Sequence, residues 1–181
     1  MKKYITICVV LFVTSFSFSQ ETKTYKGPVI KDFGQVYKVK NPDLLLDKNK
    51  KYKVIFDVYS DGKNKKEINA SINTVARFLN MHAQNNINTD NISIVLVLHG
   101  DATKNALSDK AFKREFKISN PNTDLIKALK KENVQIYVCG QSFAYKGYNR
   151  KDLSNNVALS LSALTALVKY QSEGYQLITF N

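Results

Sequence analysis

The chain has 181 residues, 44% of them hydrophobic, and a formal net charge of +12. That length suits one domain with a real core, and no internal repeat is present. Two cysteines and two histidines, with no short ligand spacing between them, exclude a zinc site held within one chain.

The first residues read as a secretory leader. Lys2 and Lys3 form a basic start, Ile5 to Val13 a short apolar core, and Ser17 and Ser19 take the spacing of a signal-peptidase site. The apolar core is shorter than the about 20 residues that cross a bilayer. The expectation is a leader over 1–19 cleaved near Ser19 and a mature chain from Gln20. The mature protein is then periplasmic or otherwise exported, with no transmembrane segment. Cleavage removes Cys8, so Cys139 becomes the only thiol and an intramolecular disulfide is excluded. Loss of Lys2 and Lys3 takes the charge from +12 to +10. An exported chain has little access to nucleic acid, so no nucleic-acid partner is expected. The lysines read as a solvated surface, or alternatively as attraction to an anionic membrane or acidic protein.

Residues 20–50 carry Gly27-Pro28, Gly34 and Asn41-Pro42. This punctuation predicts an extended arm lying on the domain or on a neighbouring subunit, not a packed element. The folded domain is expected over 51–181. Tyr52 to Tyr59 (YKVIFDVY) reads as a strand ending at the turn Ser60-Asp61-Gly62. Glu67 to Gln84 reads as a helix with Ile68, Ile72, Val75, Leu79 and His82 on its inner face. Asn91 to Leu98 (NISIVLVL) is a nearly continuous apolar run, as in a parallel strand buried on both faces. His99-Gly100-Asp101 follows it directly.

Two short helices fit Ala102 to Phe116, with Ser108 and Asp109 as caps. Another is expected over Asp124 to Glu132 with Leu125, Ile126 and Leu129 inward. Val134 to Val138 is a buried strand ending in Cys139-Gly140-Gln141. A short helix or turn over Phe143 to Gly147 and a short strand over Asn156 to Leu159 come next. Ser160 to Glu173 reads as an amphipathic helix with Leu161, Leu164, Leu167 and Val168 inward and Gly174 as its C-cap. Tyr175 to Phe180 alternates like a final strand.

Strands and helices alternating at this spacing predict an α/β domain with a mainly parallel sheet and helices on both faces. Ligand sites in such sheets lie beyond the carboxyl ends of the strands. That rule selects the loops at Ser60-Asp61-Gly62, His99-Gly100-Asp101 and Cys139-Gly140-Gln141.

The stretches NISIVLVLHGDA, VQIYVCGQSFAYKGY and ALSLSALTALVKYQSEGYQLITF together resemble the DsrE/DsrF-like family, closest to its exported branch. The resemblance covers roughly Lys51 to Phe180. It implies a flavodoxin-like three-layer sandwich that forms homo-oligomers, often trimers or hexamers. It also implies that Cys139 aligns with a cysteine that accepts sulfane sulfur as a persulfide in cytoplasmic sulfur-relay relatives, so a sulfur donor or acceptor protein is a possible partner.

Cys139 is then a reactive thiol or a buried small hydrophobe. A helix opening at Gln141 would favour the thiolate. Gly140 permits a sharp bend and close approach to a ligand, and Gln141 and Ser142 can hydrogen-bond a sulfur or oxyanion. Lys146 and Arg150 add positive charge nearby. His99 is read either as a partner that helps ionise Cys139 or as a turn residue bonded to backbone. Gly100 and Asp101 complete the ligand-facing set, with Asp101 also read as the cap of the following helix. His82 reads as packing. No metal or cofactor is called for, since neither a Walker motif nor GxGxxG occurs. The function expected is a sulfur carrier or sulfurtransferase-like protein acting through Cys139. Its alternatives are a non-enzymatic oligomeric small-ligand-binding module and an adhesive envelope protein acting through its basic surface.

Overall fold

The computed structural model describes residues 26–62 and 64–180. The leader and the first residues of the arm lie outside them. Five runs become strands: β1 (Tyr52–Val58), β2 (Ile92–Leu98), β3 (Gln135–Cys139), β4 (Ala158–Ser160) and β5 (Gln176–Thr179). They pair in the order β4-β3-β2-β1-β5, and every pairing is parallel. The helices are α1 (Ala70–Gln84), α2 (Asp109–Phe116), α3 (Thr123–Lys131), α4 (Gly140–Tyr145) and α5 (Ala163–Ser172). The starts of α1, α2 and α5 are set by side chains that satisfy the open N–H groups of a first turn. Asn69 accepts from Ser71 and Ile72, Ser108 from Ala111, and Ser162 from Thr165.

Alternation along the strands divides the core into two layers. Val54, Phe56, Val58, Leu96, Leu98 and Val138 face α1, α2 and α3, which contribute Ile72, Leu79, Phe112, Leu125 and Leu129. Ile55, Val95, Val97 and Cys139 face the other way, onto Ala163, Ala166 and Tyr170 of α5. β2 is buried on both sides from Ile94 to Leu98, which accounts for its apolar run there. The result is the flavodoxin-like three-layer α/β sandwich.

The order of winding places the carboxyl edge. Steps from β1 to β4 move one way across the sheet, and the return to β5 beside β1 carries α5 over the opposite face. α4 and α5 therefore both begin at the carboxyl edge, next to the end of β3.

Several boundaries differ from the sequence reading. Ile68 precedes α1 and is 40% exposed instead of lining its inner face. The short helix after Cys139 starts at Gly140, ahead of Phe143, and the short strand runs Ala158–Ser160. The inner face of α5 is the largest departure. Ala163, Ala166 and Tyr170 are buried, whereas Leu161, Leu164 and Val168 are 72%, 76% and 69% exposed.

The arm also departs in its first half. Ile30 and Val36 are buried, and the buried Asn80 of α1 clamps the segment. Its Oδ1 accepts from Val29 and Ile30 N–H at 3.2 and 2.9 Å, and its Nδ2 donates to the carbonyls of Ile30, Phe33 and Gly34 at 3.0 Å each. Residues 37–50 are exposed. Truncation of this side chain leaves several buried backbone groups without partners, each costly. Asn80→Ala is expected to lower stability by about 2–3 kcal/mol. In limited proteolysis, cleavage should appear first between residues 26 and 36.

Candidate functional site

Of the three carboxyl-edge loops, the first is structural. Asp61 is buried and held by Lys104 Nζ at 2.5 Å and Asn105 Nδ2 at 2.6 Å. Asn105 Oδ1 accepts in turn from Asn122, whose own Oδ1 accepts from Asn69 N–H. A fully satisfied buried network of this kind fixes the loops it joins.

The other two loops meet. Val97 pairs with Asp57 and Tyr137, and Leu98 with Val58 and Val138. One residue further along lie His99, directly after β2, and Cys139, the last residue of β3. Side-chain alternation puts Asp57, His99 and Cys139 on the same face of the sheet, the face covered by α5. Three neighbouring strands thus bring a carboxylate, an imidazole and a thiol to one corner. Sequence reasoning selected His99 and Cys139 and missed Asp57. The signal was an acid placed among β-branched and aromatic residues in YKVIFDVY.

Cys139 is the free cysteine among the described residues and is 5% exposed. Its Sγ accepts from the Ser142 N–H at 3.4 Å, across the first turn of α4. Burial pushes the thiol pKa up. The Ser142 side chain and the backbone N–H groups of Ser142, Ala163 and Gln141 push it down, and the net position is below that of an ordinary cysteine. Ala163 is the first residue of α5 and packs beside Cys139, so the start of a second helix also lies near the sulfur.

His99 Nε2 lies 2.7 Å from Asp57 Oδ1, and both atoms are buried. The contact is an ion-pair approach, not a straight hydrogen bond. Asp57 raises the His99 pKa above its ordinary value against the opposing effect of burial, and the Cys139 charge adds to the rise. The ring of Tyr59 stands edge-on to His99 at 5.2 Å. Gly100 has φ +54°, and a Cβ there would fall 2.2 Å from that ring. The Gly100 N–H also donates to Ser142 Oγ at 3.3 Å, tying the two loops together.

The remaining selected residues divide. Gly140 and Ser142 lie against Cys139. Gln141 contributes its backbone N–H, and its side chain is exposed. Asp101 is exposed and sits 3.4 Å from Lys146 Nζ. It caps no α-helix, because Ser108 begins α2 and a 3-10 turn over Gly100–Ala106 follows His99 directly. Arg150 lies on an exposed 3-10 turn. His82 packs on Phe78 and bonds its carbonyl at 2.7 Å, with its pKa lowered by burial. Hollows at the amino edge of the sheet, lined by residues such as Asp90, Glu132 and Gln135, are remote from this corner.

Gly140 is required by space. A Cβ would lie 2.5 Å from the Ser160 carbonyl oxygen and 3.0 Å from that of Leu161. Alanine gains ~0.5–1 kcal/mol of backbone entropy in a helix, but overlap of this kind costs ~1–3 kcal/mol. Gly140→Ala is therefore expected to lower Tm and to displace the segment that brings Ala163 N–H to the sulfur. The pH midpoint of Cys139 alkylation should then rise.

The sequence profile described as the DsrE/DsrF-like family matches residues 53–180. No curated protein matches the chain. Among solved structures, a protein of unknown function, MTH1491 from Methanobacterium thermoautotrophicum, is 19% identical with a TM-score of 0.55, over 71% of this chain and 99% of that one. The YchN protein from E. coli is 16% identical with a TM-score of 0.52, over 71% and 99% of the two chains. At these identities the two structures show a shared fold.

Proposed function

We propose, for a chain that belongs to the DsrE/DsrF-like family, that it is an exported sulfur carrier holding sulfane sulfur on Cys139 as a persulfide. The family is linked in general to sulfur relay. The observation that carries the reading is the setting of the Cys139 sulfur, where N–H donors from the starts of α4 and α5 favour the thiolate. A thiolate is the form that attacks sulfur.

The step balances without an outside oxidant. The Cys139 thiolate attacks the outer sulfur of a donor R–S–SH, a new S–S bond forms, and the donor's own S–S bond breaks. R–S⁻ departs and takes up a proton, leaving Cys139–S–SH. His99, whose pKa Asp57 raises, is the group placed to carry a proton in this step. In this reading Gly100, Gly140, Gln141 and Ser142 flank the transferred sulfur, and Asp101 lies on the exposed loop beyond them. Exposure of 5% at Cys139 restricts access to a slender donor terminus.

The same burial favours a second reading, a non-enzymatic module that holds a small ligand at this corner. Export rests on the composition of residues 1–19. No helix of the described residues is long and apolar enough to cross a membrane. Assembly into a homo-oligomer, a trimer or hexamer, is supported by the exposed apolar side of α5. Intact-mass measurement after exposure to a sulfane donor tests the carrier reading. One added sulfur, about 32 Da, on Cys139 is expected. An unmodified mass at a thiol that iodoacetamide can reach leaves the ligand-binding module.

A further inference from the structure

We infer that Asp57 is a positioning residue that acts through His99, holding the imidazole by Nε2 so that its other nitrogen exchanges a proton with the group reacting at Cys139. The inference rests on the reading of Cys139 as the reacting thiol. It names a residue that neither the sequence motifs nor the family match assigns.

Placement is the first argument. β1 is flanked by β2 and β5, and its inward positions are otherwise apolar. A carboxylate in such a strand is costly unless it has a partner. Its partner is His99, at 2.7 Å, one strand away and on the same face. Register then puts His99 level with Cys139 on the next strand. The carboxylate is thus separated from the thiol by one imidazole, in chain positions fixed by three adjacent parallel strands.

The surroundings leave His99 few other partners. From β1 it meets Asp57 and the Tyr59 ring; from β3, Cys139. α4 offers the neutral Ser142, bonded to Gly100. Beyond it, Lys146 and Asp101 pair with each other at the exposed rim. The start of α5 contributes Ser162 and Thr165, which bond one another. His99 therefore lies between two groups that carry negative charge when ionised. With Nε2 engaged by Asp57, Nδ1 is the nitrogen left for proton exchange.

Chemistry gives the arrangement a use. The leaving group of the transfer is a thiolate with an ordinary pKa of about 8.5, so protonation aids its departure. An imidazolium kept protonated above its ordinary pH range supplies that proton, and Asp57 keeps it so.

The test uses the purified protein and two readouts. The first is NMR titration of the imidazole C–H signals. The chain has two histidines, so His99→Ala assigns His82 by elimination. The wild-type His99 midpoint is expected above its ordinary value. It should fall by about one unit or more in Asp57→Asn, and by a smaller amount in Cys139→Ser. The second is the rate of sulfur uptake from an alkyl persulfide across pH. Asp57→Asn should lose about tenfold on the alkaline side and little on the acid side, and Asp57→Glu should restore part of it. A His99 midpoint indifferent to Cys139→Ser overturns the inference, as does an Asp57→Asn rate loss equal at every pH. If Asp57→Asn fails to fold, Asp57→Glu and Cys139→Ser carry the titration. Absence of sulfur uptake in the wild type removes the carrier reading alone, because the titration still decides whether Asp57, His99 and Cys139 are coupled.

Discussion

Cys139→Ser is expected to abolish sulfur loading outright while leaving fold and assembly intact. A serine hydroxyl is close to a thiol in size but does not ionise at neutral pH, so the nucleophile is removed with little change in packing. Cys139 sits at the end of β3 with Sγ accepting from the Ser142 N–H, and a serine oxygen can accept the same bond, as a helix-capping residue commonly does. Its stability change should therefore stay within about 1 kcal/mol. Wild-type protein prepared without residues 1–19 and treated with a sulfane donor should gain about 32 Da, reversible by reductant, and the variant should gain nothing. Mapping the added mass to the peptide holding Cys139 completes the result. A wild type that alkylates readily yet takes up no sulfur sinks the carrier reading. A variant that still loads moves the acceptor elsewhere. The pH dependence has a defined sign: the thiol pKa is lowered in the folded protein, so uptake should begin to rise at lower pH than with a free cysteine and level off once the thiolate is complete.

The carboxyl-edge site was legible from alternation and length. NISIVLVL and VQIYV are nearly continuous apolar runs because the carboxyl halves of the strands they form are covered on both faces, and that continuity located His99 and Cys139 at strand ends. What sequence could not supply was lateral order. Asp57 becomes part of the corner only because β1 lies beside β2, with His99 reached across the register. Ala163, at the start of α5, lies beside Cys139 only because α5 returns over the second face. Neither fact has a local signature. The same limit explains the misread face of α5. Ranking side chains by hydrophobicity turned its leucines inward, but the sheet face beneath already carries Tyr137, with Tyr175 at its edge, and small residues let the helix come close. Alanine and Tyr170 fill that gap with Leu167 partly buried beside them, and Leu161, Leu164 and Val168 are left outside.

Those leucines carry the second large expectation. Replacing Leu164 and Val168 together by lysine should convert an oligomer into protomers without unfolding them. In the single protomer both side chains are more than two-thirds exposed, so a charge there meets water and each change should cost no more than about 0.5 kcal/mol of protomer stability. In an assembly that covers this face, each side chain contributes about 1.5–3 kcal/mol on burial, and a lysine must be desolvated instead. Light scattering coupled to gel filtration should show the wild type as a multimer and the double variant at protomer mass, with unchanged circular dichroism. A wild-type protomer, or a variant that stays assembled, overturns the use of α5 as the interface. Site and interface are also linked by position, since Leu161 immediately precedes the helix start that supplies Ala163 N–H to Cys139. A neighbouring copy seated on α5 would then stand at the mouth of the site. The double variant should consequently alkylate faster at Cys139 than the wild type, and Cys139→Ser, which touches no residue of the exposed stripe, should leave the assembly unchanged.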